Sequence, residues 1–82
     1  MLALEKVTVD ILLEKDERYL KSLMRALAPD NVNFPEGIAM NMKYSNEALE
    51  IHAESDGRRI MSLLNTVDEV LELAKMIERG VE

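Results

Sequence analysis

The sequence predicts a small α+β domain with the element order β-α-β-β-α. The sheet is three-stranded, antiparallel or mixed, in the order 2-3-1, with two helices packed on one face. Three observations predict it. Apolar residues alternate at period two in one early and two central stretches. They recur at three- and four-residue intervals in two others. A segment holding both prolines of the chain separates the first helical pattern from the central strands.

In the first strand Val7, Val9, Ile11 and Leu13 alternate with Thr8, Asp10 and Leu12, so one face is set for burial. Asp16 is a good N-cap for the next element, with Glu17 placed near the positive end of the helix dipole. Leu20, Leu23, Met24 and Leu27 then form a helical stripe, with Tyr19 and Ala26 on its margin. Pro29 ends this helix, because it lacks an N–H and disfavours helical geometry in the residue before it. The connecting segment 29–36 has Val32 and Phe34 as its expected anchors.

Ile38, Met40, Met42 and Tyr44 alternate in one central stretch, and Leu49, Ile51 and Ala53 in the other. They form a hairpin. With Ser45 and Asn46 as a two-residue loop, Met42 faces Leu49, Met40 faces Ile51 and Ile38 faces Ala53, all on one sheet face. A right-handed crossover through the first helix makes strands one and two parallel, and the hairpin places strand three between them.

The stretch from Asp56 to Arg79 is the longest helical pattern. Ile60, Leu63, Leu64, Val67, Val70, Leu71, Ala74 and Ile77 form its expected core stripe, opposite Ser62, Asn65, Asp68, Glu69, Glu72 and Arg79. Leu73 and Met76 fall outside the stripe and suggest a second packing surface.

With 82 residues the chain makes one domain, 1–82, whose core is small enough for oligomerisation to add usefully to its stability. The absence of cysteine excludes disulfides and thiolate metal sites and suits an intracellular, cytoplasmic setting; a single histidine argues against zinc. No metal or other cofactor is expected. Sixteen acidic and ten basic residues give a formal charge of −6, which disfavours gripping nucleic acid through net charge. No apolar run approaches the length of a membrane span.

Two clusters invite a chemical reading. His52 lies between Glu50 and Glu54 on the outer sheet face, but acid-base catalysis needs a water-excluding cleft, and an open sheet supplies none. Arg58 and Arg59 follow Asp56-Gly57 at the start of the second helix, where exposed amides add positive potential for a phosphate.

The element order, the Ala26-Leu27-Ala28-Pro29-Asp30 ending of helix one, and Ala53-Glu54-Ser55-Asp56 followed by Asn65-Thr66 together resemble the small Pcc-type subunits of the KEOPS complex. The resemblance spans nearly the whole chain, and its most specific part runs from Ala53 to Val67. In that family the second helix bears an Arg where this chain has Met61, and an Asn-Ser pair where it has Asn65-Thr66.

The resemblance implies a non-catalytic dimerisation subunit. Such subunits dock through their helices on the catalytic sugar-kinase-like subunit, in a complex that makes threonylcarbamoyladenosine on tRNA. Mapped here, Leu63, Val67, Val70, Leu73, Ala74, Met76 and Ile77 carry partner contacts, and Arg58, Arg59, Asn65 and Thr66 are the candidates for touching tRNA. The partner is the catalytic subunit, a second copy, or a Pcc-type paralogue; this acidic chain fits the second, Gon-like archaeal member. The alternative is a stand-alone RNA-binding module using Arg58 and Arg59. An enzyme built on His52 stands third.

Overall fold

The computed structural model describes residues 6–28 and 35–80. Among them the order is β1 (Val7–Glu14), α1 (Glu17–Ala26), β2 (Ala39–Ser45), β3 (Ala48–Ser55), a single 3-10 turn (Gly57–Arg59) and α2 (Ile60–Glu78). The sheet order is β1-β3-β2, with β3 antiparallel to both neighbours. The expected fold class and strand order are those observed. Pro29, Val32 and Phe34 lie outside the described residues.

Local chemistry sets the boundaries. Asp16 caps α1, its carboxylate accepting from the Tyr19 amide at 2.9 Å. Asp56 does the same for the 3-10 turn, accepting from the Arg58 amide at 2.9 Å. At the end of α2 the Gly80 amide returns to the Ile77 carbonyl with Gly80 at φ 86°, a left-handed stop.

The hairpin corrects the expected loop by one residue. Asn46 and Glu47 are the loop pair, both at positive φ, as a tight turn matched to strand twist requires. Tyr44 therefore faces Leu49, Met42 faces Ile51 and Met40 faces Ala53. Each partner moves by two positions, so the apolar set keeps its face.

Both helices cover the middle strand best. Leu49, Ile51 and Ala53 of β3 are buried, with Leu20 and Leu23 of α1, Leu27 at its C-cap, and Leu63, Val70 and Ala74 of α2. The inward residues of β1 (Val7, Val9, Ile11, Leu13) and of β2 (Met40, Met42, Tyr44) are only half-buried. Two helices are too narrow a layer to roof three strands, and the outer strands bear the shortfall.

Candidate docking surface

The buried line of α2 runs through Leu63, Thr66, Val70 and Ala74, with Leu73 and Ile77 half-buried against the core. That line is rotated from the expected one. Leu64 and Leu71, assigned to the core from spacing, are 44% and 40% exposed, and Ile60 and Met61 are exposed beside them. Of the residues assigned to partner contact, Leu63, Val70 and Ala74 are core, Leu73, Ile77 and Val67 are half-buried, and Met76 is exposed. The apolar stripe was broader than one face of a helix, so spacing could not say which flank would meet the sheet. Thr66 was the missed signal: its hydroxyl donates to the Ser62 carbonyl at 2.9 Å, which satisfies it inside the helix and lets it occupy the core at 1% exposure.

What remains outside is a seam. Ile60, Leu64, Val67 and Leu71 follow the 4-3-4 spacing that helices use to pack along one another. Leu71 borders a groove of about 400 Å³ that also takes in Leu13 of β1, Tyr19 of α1 and the charged groups of Asp68, Glu72, Lys75 and Glu78. Leu71, at one end of the seam, thus lies beside Leu13 of β1, a strand whose inward face is incompletely covered.

The basic pair at the head of α2 divides. Arg59 turns back to the segment before β2, where its Nη1 donates to the Glu36 carbonyl at 3.1 Å and its Nε lies 3.8 Å from the Asp56 carboxylate. Its side chain packs against Gly37, so closely that a Cβ there would lie 2.5 Å from Arg59 Cδ. This guanidinium fastens two segments together. Arg58 is exposed, as is Asn65, whereas buried Thr66 presents nothing to a nucleic acid.

On the outer sheet face His52 stands opposite Asp10 of β1 and Asn41 of β2. Its ring is held from both sides. Nδ1 lies 2.6 Å from Asp10 Oδ1 and Nε2 lies 3.1 Å from Glu54 Oε1, so both bonds form only when each ring nitrogen carries a proton. The hydrogen bonds to Asp10 and then Glu54 raise the His52 pKa above its ordinary 6.5. Lys6 extends the cluster, 3.8 Å from Glu54. Sequence spacing paired His52 with Glu50 and Glu54; Asp10, its closest partner, comes from a distant strand that only the sheet register brings alongside.

Among the described residues no group of three or more His, Asp or Glu side chains is placed to hold a metal ion, and no helix is long and apolar enough to cross a membrane. Comparison with protein-family models, curated proteins and solved structures finds no match for this chain.

Proposed function

We propose that the chain is a non-catalytic accessory subunit of the KEOPS type, which works in the cytoplasm and supports threonylcarbamoyladenosine formation on tRNA by docking on the catalytic subunit or pairing with a Pcc-type subunit. The observation that carries the reading is the 4-3-4 seam of α2, exposed at Ile60, Leu64 and Leu71 and half-buried at Val67, an apolar helix surface that the buried core does not use. The element order agrees with the family that the sequence resembles. The docking residues are Ile60, Leu64, Val67 and Leu71, with Met61 beside them. The chain reaches tRNA indirectly, through the complex, since its net charge is −6 and the Arg59 guanidinium is engaged within the fold.

The test is co-purification with the catalytic sugar-kinase-like subunit. The wild-type chain is expected to be retained, and a Leu64→Asp/Leu71→Asp variant with unchanged circular dichroism is expected to be lost. No retention of the folded wild-type chain, together with salt-sensitive RNA binding by the isolated protein that Arg58→Ala abolishes, would replace this reading with that of a small RNA-binding module.

A further inference from the structure

β1 and β2 each pair with β3, and the inward residues of both are half-buried. They are fastened to it differently. β2 runs into β3 through the tight turn at Asn46 and Glu47. β1 is distant from β3 in the chain, and side chains on the outer face tie the two strands together. Asp10 Oδ1 lies 2.6 Å from His52 Nδ1, and Lys6 Nζ lies 3.8 Å from Glu54 Oε1. Both ties fall in the half of the strand from Lys6 to Ile11. The other end is anchored to the helix layer, where Lys15 reaches Glu78 at 3.1 Å and Asp16 caps α1.

The tie in the middle of β1 depends on a proton. A charged ring donates from both nitrogens, to Asp10 across the ladder and to Glu54 two residues along its own strand. A neutral ring has one proton for two carboxylates. If the proton stays on Nδ1, the bond to Asp10 loses its charge assistance; if it stays on Nε2, the lone pair of Nδ1 faces the Asp10 carboxylate. The link between the strands weakens in both cases. It is also the link that parting the strands breaks, since Glu54 travels with His52 on β3 whereas Asp10 leaves with β1.

We propose that the Asp10–His52 bond is a protonation-dependent latch on β1: the charged ring holds the strand closed against β3, and with the ring neutral the stretch from Val7 to Ile11 opens locally while the β2–β3 hairpin stays paired. The other charged groups on that face are Lys6 and Glu14 of β1, Glu50 and Glu54 of β3 and Lys43 of β2; the helices pack on the opposite face. Only His52 among them titrates near neutrality. Asp10 and then Glu54 raise its pKa above 6.5, and opening removes the Asp10 part. The latch is therefore fully set below pH 6.5 and is released as pH rises through the raised value. Opening frees the β3 edge from Ile51 to Ser55, the stretch paired with Val7 to Ile11, and begins to uncover Ile51 and Ala53.

The inference goes beyond the accessory-subunit reading and does not depend on it, since the test uses the isolated chain. Amide hydrogen exchange, corrected for the intrinsic pH dependence of the chemistry, reads the opening of the β1 amides bonded to β3. Their opening constant is expected to exceed that of the β2 amides bonded to β3 and to respond less to added urea, the mark of local rather than global opening. It is expected to rise about two- to fivefold between pH 5.5 and 8.5, the scale of one exposed ion pair, because the His52 and Asp10 side chains are 37% and 74% exposed. Asp10→Asn, folded by circular dichroism, is expected to abolish that rise and to bring the His52 pKa, followed by NMR, down toward 6.5. β1 amides that exchange only through global unfolding, with the rate and urea response of β2, would overturn the proposal. So would a β1 opening constant that is independent of pH, or a rise that survives in Asp10→Asn.

Discussion

The Tyr19 hydroxyl donates a 2.8 Å hydrogen bond to the main-chain carbonyl of Ala74, tying α1 to α2. Lys15 reinforces the tie from the solvent side, with its ammonium 3.1 Å from Glu78 and 5.5 Å from the centre of the Tyr19 ring. Replacing Tyr19 with Phe keeps the ring and removes one partly buried bond. Expected is a loss of about 1 kcal/mol, read as a lower urea midpoint with an unchanged m-value.

The two lines of α2 should respond to truncation to different degrees. Leu63→Ala opens a cavity in a fully buried site and is expected to cost about 2 to 5 kcal/mol. Leu71→Ala, on the exposed seam, is expected to cost less than about 1 kcal/mol in the monomer. Urea titration at low protein concentration compares them directly.

Gly37 sits at φ 90° with Arg59 packed where its side chain would be. Gly37→Ala is expected to destabilise by about 1 to 3 kcal/mol, combining backbone strain with displacement of Arg59. Adding Arg59→Ala should remove the steric part and leave the strain. A double-mutant cycle measures the coupling, which additive losses would exclude.

Stability should depend on pH through His52. Its folded pKa lies above the unfolded value of 6.5, so the contribution of its two carboxylate bonds is complete below pH 6.5 and is lost as pH rises through the folded pKa. The urea midpoint measured on dilute protein is expected to fall across that interval in the wild type. In His52→Gln the fall should disappear.

The strands, their facing and the sheet order were legible because period-two patterns and loop residues are local signals. Asp16, Leu20 and Leu23 likewise took their expected places. The side of α2 that faces the sheet was not legible. Its apolar residues occupy more than one face, and the choice between the Leu63–Val70 line and the Leu64–Leu71 line is made by packing against β3 and α1, with Thr66 satisfying its own hydroxyl to join the buried side. The Asp10–His52 pair was hidden for a related reason: residues far apart in the chain become neighbours only through the ladder. Arg59 looked like an anion ligand in sequence because its acceptor, the Glu36 carbonyl, is a main-chain atom that no side-chain motif marks.

The placement of β3 between two partners carries a consequence for how the chain folds. β2 and β3 meet through a two-residue turn, so their pairing closes a short loop, whereas the pairing of β1 with β3 closes the much longer loop from Glu14 to Ala48. Loop-closure entropy therefore orders the events, with the hairpin early and β1 late. The strand that arrives last is also the one whose inner face is half covered, so its amides should exchange with solvent sooner than those of β3 at the centre of the sheet.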